Sequence, residues 1–422
     1  MPDLTAVRLG EYESTGLRTE QLTPRDVDRL QVLQERRCLT LDRGPAGWRL
    51  KADATVGVLA LDHVRLVIEP KFAISGERLM TWLAYALDAP TPLTTTTRRW
   101  STGPDGYADL VAAALLEQCQ RLLREGLRHG YVRHQSIEPV LRGRLDFAKQ
   151  ISRRYGQLDQ LHIRTFDRET DIWDNRVLGT ALRAALALVS DSHLARELRS
   201  TASAFPQAAT PGAALRALDR VRYTRLNSRY RAAHTWARLL LRGGGVTDLL
   251  TDLGTSAEGL LLRMPALWEA VVRRLTADAA SRLGGCSITA TGRTGITVRG
   301  DLGSPSRFRP DVLLSLPGPD TTAPSVLPVD AKYKRYDRHG VSAGDVHQLL
   351  TYSAGYASAD CPRSVIVHPQ TASHAHRTLQ VRGPDGLLGV VQVLGVGTSA
   401  HPEEAAQWIA STLARDQRMT AR

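Results

Sequence analysis

Two acids and a lysine in the last third of the chain have types and spacing suited to phosphodiester hydrolysis. Pro310-Asp311 opens one β-rich run, and Asp330-Ala331-Lys332 closes the next, after the loop PGPDTTAPS. If the two runs pair as a hairpin, both carboxylates come to the same end of a sheet. Acids that close repel, and a divalent cation relieves the repulsion; oxygen ligands of this hardness favour Mg²⁺. Lys332 follows Asp330 by two residues, so the strand period places its ammonium on the same face. There it can orient a water or stabilise developing phosphate charge beside the metal.

Two further residues extend the set. Glu269, in LWEAVV on the preceding helix, is a candidate third carboxylate and metal ligand, or else an exposed partner of Arg273 one turn on. Gln348, in DVHQLLTY on the following helix, can bond the attacking water or a phosphate oxygen, or else be a solvated polar position. Asp345, Gln348 and Tyr352 share one helix face, with Tyr352 read as a core residue. Glu69-Pro70-Lys71 also has the acid-x-Lys form, but it lacks an upstream Pro-Asp and a glutamine on the next helix. It is taken as a decoy.

These residues need elements to hold them. Residues 259–422 read as helix (Pro265–Arg282), three strands (Ile296–Val298, Val312–Leu316, Val326–Lys332), helix (Ser342–Tyr356), two strands (Ser364–Val367, Leu387–Leu394) and a closing helix (Pro402–Leu413). That order predicts an α/β unit with a mixed sheet. Residues 1–100 read as β-rich, with runs at Cys38–Leu41, Trp48–Lys51, Thr55–Leu61 and Val64–Ile68. A helix over Glu77–Leu87 and a threonine-rich linker at 90–99 follow. Residues 101–258 read as mainly helical, over Asp109–Leu127, Asp174–Leu188, Ala213–Val221 and Ser228–Leu241, with Tyr131–Leu145 extended. The whole is an α+β multidomain chain.

Composition narrows the class. A chain of 422 residues exceeds one ordinary core, and 42% hydrophobic residues exclude wholesale disorder. Cys38, Cys119, Cys286 and Cys361 lie far apart, which argues against a disulfide scaffold or zinc ribbon and fits a reducing, cytoplasmic setting. The first 17 residues have no apolar core of a secretory signal, and no uncharged apolar run is long enough to span a membrane. The net charge of +12 suits a polyanionic partner. Of the 55 basic residues, however, only Lys51, Lys71, Lys149, Lys332 and Lys334 are lysines. The arginine excess reads as compositional, and each lysine becomes conspicuous.

Taken in order, RPDVLLSL, VLPVDAKYKRY and DVHQLLTY resemble the PD-(D/E)xK nuclease superfamily. VRLVIEPKF with ERLMTWLAYAL, LRGRLDF with FDRETDIWDNRVLGTALRAAL, and LLLRMPALWEAVVRRL resemble successive regions of the McrC family, the nuclease subunits of McrBC 5-methylcytosine restriction systems. The resemblance runs from about residue 30 to 400. It implies a C-terminal restriction-endonuclease-like domain and an Mg²⁺-dependent endonuclease subunit that cuts methylated or otherwise modified DNA. It also implies an AAA+ GTPase partner of the McrB type, engaged by the N-terminal and middle regions, whose GTP hydrolysis the chain stimulates. The family's catalytic acids map onto Asp311 and Asp330 and its lysine onto Lys332. Trp268 stands where phenylalanine is more usual before Glu269.

Other readings stay open. One is a catalytically silent adaptor that activates the NTPase; another is a stand-alone DNA-repair nuclease of the same fold. The chain has no P-loop, so nucleotide hydrolysis would come from a partner. Arg220 to Arg242 holds seven arginines; Arg222, Arg225 and Arg229 are expected on one helix face, opposite Leu226, Tyr230, Ala233 and Ala237. That face is either phosphate-tracking or plainly solvated. Arg142 and Arg144 around Gly143 serve a partner or DNA, or only a turn.

Overall fold

The structure, a computed structural model, describes residues 5–45, 47–72, 74–92, 106–207, 210–243, 259–288, 295–298, 306–317, 324–357 and 362–420. The chain divides into two compact units. One comprises residues 1–104, 245–251 and 261–422; the other comprises 105–244 and 252–260. Helices and several sheets mix throughout, and no helix among the described residues is long and apolar enough to cross a membrane. Most of the linker expected at 90–99 lies outside the described residues.

The first unit begins with β1 (Thr5–Gly10), β2 (Ser14–Leu17), α1 (Pro24–Glu35), β3 (Leu39–Gly44), β4 (Gly47–Ala52), β5 (Thr55–Ala60), β6 (Val64–Glu69) and α2 (Gly76–Ala86). The four expected strand runs are β3 to β6. The expectation missed β1, β2 and α1. The segment PRDVDRLQVLQE of α1 has weak apolar periodicity but a strong start. Pro24 sits in the first turn, and Thr23 and Asp26 form a reciprocal capping box. Asp26 is fully buried and accepts the Asp62 backbone N–H as well, which ties the helix to the β5–β6 turn.

The second unit holds α3 (Gly106–Arg124), β7 (Gly130–Glu138), β8 (Arg144–Leu145), α4 (Phe147–Arg154), β9 (Leu161–Glu169), α5 (Trp173–Ala185), α6 (Ser192–Ser203), α7 (Pro211–Arg220) and α8 (Arg231–Leu241). Its helices match the expectation, with α4 and α6 added. It also carries a three-stranded antiparallel sheet, β7-β9-β8, whose β7 and β8 fall in the stretch expected to be extended and whose β9 does not. Strand β9 (LHIRTFDRE) was missed because its polar residues mask the alternation. Gly143 has φ +93°, and a Cβ there would meet the Arg164 carbonyl at 2.6 Å, so the turn between β7 and β8 requires glycine. Residues 221–227 are not helical, which overturns the shared helix face of Arg222, Arg225 and Arg229; Leu226 is exposed rather than packed. A hydrogen-bonded turn around buried Asn227, which accepts the Thr224 N–H, interrupts the helix.

The first unit resumes within β10 (Gly259–Arg263), at Leu261, and continues with α9 (Met264–Arg282), β11 (Cys286–Ile288), β12 (Ile296–Val298), β13 (Ser306–Phe308), β14 (Val312–Leu316), β15 (Ser325–Ala331), α10 (Tyr336–His339), α11 (Ala343–Tyr356), β16 (Arg363–Gln370), β17 (Ala375–Gly383), β18 (Gly386–Gly397) and α12 (Pro402–Thr420). A six-stranded mixed sheet has the order β11-β14-β15-β16-β18-β17. β14 and β15 are antiparallel, whereas β15, β16 and β18 are parallel. β10 joins the sheet β1-β6-β5-β10, so strands some 200 residues apart in sequence share one sheet. Leu261 packs among the leucines of that core, and the Met264 N–H bonds the Ala54 carbonyl at 3.0 Å. Helix α2 lies against α9: the Trp82 and Trp268 rings are 6.4 Å apart, and Trp82 Nε1 donates to the Thr398 carbonyl.

Gly179, inside α5, gives a test of close packing in the second unit. Replacing glycine by alanine within a helix ordinarily gains about 1 kcal/mol. Here the new methyl would fall 2.0 Å from the Pro206 carbonyl oxygen, which is backbone and cannot swing away. Gly179→Ala is expected to destabilise the chain by about 1–3 kcal/mol net, read as a lower urea midpoint.

Candidate active site

The β14–β15 register brings the two acids together. Val312 pairs with Val329, so Asp311 and Asp330 stand opposite each other one step further along. The Asp311 carboxylate turns across the gap and accepts the Ala331 N–H at 2.7 Å. That bond fixes the mouth of the hairpin. Asp330 is 2% exposed, and β15 is flanked by β14 and β16, so its carboxylate sits within a low-dielectric layer.

Lys332 lies where the strand period put it. Its Nζ is 2.7 Å from Asp330 Oδ2 and 2.8 Å from Gln348 Oε1, with Asp345 Oδ1 at 4.0 Å. The ammonium is the charged partner of Asp330 Oδ2 and draws that carboxyl down against the effect of burial. Gln348 presents its oxygen to the ammonium because its Nε2 donates to Tyr352 Oη at 2.7 Å, and Tyr352 in turn donates to the Arg309 carbonyl at 2.7 Å. Tyr352 is thus both core and brace; burial pushes its phenol up to about 12.

Lys334, two residues beyond, shows a second layer of support. It bonds both Asp345 oxygens at 2.8 and 2.9 Å, and Tyr336 and Ser342 hydroxyls donate to the same carboxylate at 2.6 Å each. Burial alone would raise Asp345, but these donors outweigh it and hold the carboxyl below its usual range. It therefore stays an anion beside Lys332. Its place on the Gln348 face was legible in the sequence; its burial and its role in collecting Lys334, Tyr336 and Ser342 were not.

Glu269 is half-buried and takes up the expected pairing with Arg273. Its Oε1 pairs with Arg273 one helical turn on, and Arg273 Nε reaches the Asp311 carbonyl at 3.4 Å. Its charge also pushes the Asp311 carboxyl up, adding to the dominant effect of burial against the Ala331 N–H, Lys332 and Arg273. The Asp311, Asp330 and Glu269 oxygens do not close into a three-ligand nest. Among the described residues, His134, Asp167 and Glu169 of the second unit form the group whose ligand atoms lie within 4.8 Å of one another. Within the C-terminal group, Lys332 pairs with Asp330 and Arg273 with Glu269. Two opposed carboxylates at the mouth of one hairpin are a donor set of hard oxygens that suits a hard divalent cation.

Helix α9 positions Glu269 by packing Trp268 into the sheet. Trp268 Nε1 donates to the Val367 carbonyl at 3.0 Å, the same oxygen that accepts the Lys332 N–H. The indole in place of phenylalanine therefore tethers the helix directly to the strand beside Lys332.

The expected decoy behaves otherwise. Lys71 does not face the acid pair. Its Nζ donates to the Tyr333 carbonyl at 3.1 Å, adjoining Lys332 in the chain. Sequence reasoning had no signal for this beyond the rarity of lysine.

Many arginines of the 220–242 segment are engaged within the second unit. Arg229 bonds the Gly126 carbonyl and Glu125, Arg242 bonds Asp219, and Arg231 lies over the Tyr223 ring. Arg222 and Arg225 are exposed, as are Arg142 and Arg144. Large apolar residues are also exposed from β7 to β9, among them Tyr131, Phe147, Ile151, Tyr155, Leu158 and Phe166. Tyr155 and Leu158 are 85% and 81% exposed.

The profile of one protein family, described as the McrBC 5-methylcytosine restriction system component, matches residues 50–369. No curated protein sequence matches the chain. Among solved structures, the chain is similar to one in a half-complex from a tetradecameric assembly of Thermococcus gammatolerans McrB AAA+ hexamers with bound McrC. The TM-score is 0.64 at 17% identity, covering 97% of this chain and 100% of the other. Another similarity is to a chain of the Thermococcus gammatolerans McrBC complex, with a TM-score of 0.46 at 19% identity, covering 64% of this chain and 87% of the other.

The acid pair makes stability depend on pH. Burial, and then the charge of Asp311, push the Asp330 carboxyl up to about 6, against roughly 3.9 in an unfolded chain. Between those values the folded protein holds more protons at this site than the unfolded one, so stability falls as pH rises through the window. In chelator, wild-type stability is expected to decline between about pH 4 and 6. Asp330→Asn should flatten that decline and gain up to about 3 kcal/mol at pH 7, less what Lys332 loses with its partner. Urea titrations at stepped pH check this.

Proposed function

The chain belongs to the McrBC 5-methylcytosine restriction system component family, and from that premise we propose that it is the system's DNA-cleaving subunit, of the McrC type. The observation that carries the reading is the opposed pair of partly buried Asp311 and buried Asp330, with the Lys332 ammonium 2.7 Å from Asp330. A plain structural hairpin has no use for two adjoining carboxylates withdrawn from water, one of them buried, since each raises the cost of ionising the other.

In this reading the C-terminal part is a PD-(D/E)xK nuclease. Asp311 and Asp330 would hold Mg²⁺, with Glu269 as the third carboxylate. The bound cation supplies Lewis-acid polarisation of the scissile phosphate and a more acidic water. Lys332, steered by Gln348 and Asp330, orients the attacking water and offsets the charge that grows on the phosphate. Gln348 is fixed by Tyr352, so the ammonium meets the phosphate already positioned. Asp345 keeps Lys332 and Lys334 in a single charged layer. The products carry 5′-phosphates.

The rest of the chain engages an McrB-type AAA+ GTPase and stimulates its hydrolysis of GTP, which brings methylated or otherwise modified DNA to the cutting site. Support comes from the restriction-system family and from the exposed apolar residues on β7, α4 and β9. Isolated chains rarely leave such large side chains in water without a partner. The N-terminal region is assigned a share of the same contact. Exposed Arg142, Arg144, Arg222 and Arg225 are left to contact the DNA backbone or the partner.

The decisive assay uses the chain with its GTPase partner, GTP, Mg²⁺ and methylated plasmid. Lys332→Ala is expected to slow strand scission by about 10²–10³-fold, and Asp330→Ala should remove it, while both still stimulate the GTPase. Scission by Asp330→Ala at the wild-type rate would reject the assignment. GTPase stimulation with no scission by the wild-type chain, in any of several divalent metals, would point to a silent adaptor instead. A second measurement concerns the exposed arm. Tyr155→Ser combined with Leu158→Ser should weaken association with the partner by about tenfold or more and reduce GTPase stimulation in parallel, with unchanged thermal stability of the isolated chain.

A further inference from the structure

We propose that Lys71, together with Glu11, is a positioning device for the Lys332 ammonium: the N-terminal sheet grips Tyr333 and thereby sets where the cleaving lysine stands. This rests on the nuclease reading above and adds to it residues from the opposite end of the sequence.

The residues meet because of strand pairing. β1 and β6 are parallel, with Gly10 opposite Glu69, so the residues that follow them emerge side by side. Glu11 leaves β1, and Lys71 and Phe72 leave β6. The Glu11 N–H bonds the Glu69 carbonyl at 3.0 Å, and the Lys71 N–H bonds Glu11 Oε2 at 2.7 Å. The pair is therefore built into the end of the sheet rather than carried on a loose loop.

Tyr333 is the object of the grip. The chain leaves β15 extended, so Lys332 and Lys334 turn to one side, toward Asp330, Gln348 and Asp345, while Tyr333 turns to the other. It is held at three points. Its carbonyl accepts the Lys71 ammonium at 3.1 Å. Its hydroxyl donates to Glu11 Oε2 at 2.9 Å. Its ring meets the edge of Phe72 at 5.1 Å and lies 4.2 Å from the Lys71 ammonium. Tyr12 and Phe72 complete an aromatic cage around Lys71, at 5.0 and 5.6 Å. Glu11, Phe72 and Tyr333 are all buried.

Burial raises the Glu11 carboxyl and lowers the Lys71 ammonium, so holding both charges here is costly. Apolar side chains would join the same surfaces at less cost. What the charges add is direction: an ammonium on a carbonyl and a carboxylate on a phenol fix Tyr333 in both translation and rotation. On the other flank, the Lys332 N–H is tied to the Val367 carbonyl. The catalytic lysine thus stands between two anchors, one of which belongs to the N-terminal sheet. Displacing a reacting group by about 1 Å costs on the order of 10²-fold in rate.

The test uses the assembled complex with its GTPase partner and methylated plasmid. Lys71→Met keeps the stem and removes the charge. The expected result is a 10- to 100-fold lower scission rate at saturating DNA. The DNA concentration at half-maximal rate, GTPase stimulation and the melting temperature should stay unchanged, and Lys71→Arg should recover part of the rate. Tyr333→Phe, which keeps the carbonyl and loses the hydroxyl bond, should show a smaller loss of the same kind. Wild-type scission by Lys71→Met overturns the inference, as does a loss that runs parallel with melting or GTPase stimulation. Should Lys71→Met fail to assemble, Tyr333→Phe decides: a scission rate equal to wild type overturns the inference. Asp330→Asn in the same assay separates the two claims. If it still cuts, the nuclease reading fails; if it is inactive while Lys71→Met and Tyr333→Phe cut normally, only the positioning role fails.

Discussion

Two carboxylates facing each other at the mouth of one hairpin set the terms for the rest of the first unit. Asp311 and Asp330 cannot both be charged in a buried layer without compensation. The surrounding groups supply it unequally. Asp311 takes a backbone N–H from Ala331, while Asp330 takes the Lys332 ammonium at 2.7 Å. Lys332 then needs its own constraints, and those recruit Gln348, Tyr352 and the Arg309 carbonyl in series. Asp345 does the same for Lys334. Each partner satisfies a polar group that the acid pair forced into the interior.

The same logic explains why support comes from so far away in sequence. A strand end carrying Asp330, Lys332 and Lys334 on one side must rest on something with the other. Tyr333 provides the contact, and the end of the β1–β6 pair receives it. Trp268 performs the corresponding task from α9 by sharing the Val367 carbonyl with the Lys332 N–H. Lys332 and its neighbours are therefore held by elements from both ends of the chain.

The sequence made parts of this legible for physical reasons. Asp311, Asp330 and Lys332 stood out because acid spacing and strand period are local properties. The β14 and β15 runs are apolar and bounded by Gly/Pro loops, and the proline-started α9 has strong helical signals. Gln348 was visible from helical periodicity, though its orientation depends on Tyr352 and an Arg309 carbonyl that no spacing rule reaches. Glu269 stayed ambiguous because its neighbours include both Arg273 and the field of Asp311. Lys71 reads as a decoy because motif logic looks along the chain, whereas its partner Tyr333 follows a strand of another sheet and meets it only through tertiary contact. Strand β9 and the broken helix at 221–227 were misread for a related reason: a polar strand and a side-chain-built turn leave little periodic trace.

The pairing of β10 with β5 has a consequence for the order in which the protein can be completed on the ribosome. Strand β5 (TVGVLA) is uncharged and almost wholly buried in the finished sheet. Its neighbour β10 is synthesised roughly 200 residues later. At about 5–20 residues per second, the edge of β5 stays unpaired for on the order of 10–40 seconds while the second unit emerges. An apolar open edge invites pairing with other nascent chains. Yield of the intact protein should therefore depend on how quickly translation traverses the segment between the two strands.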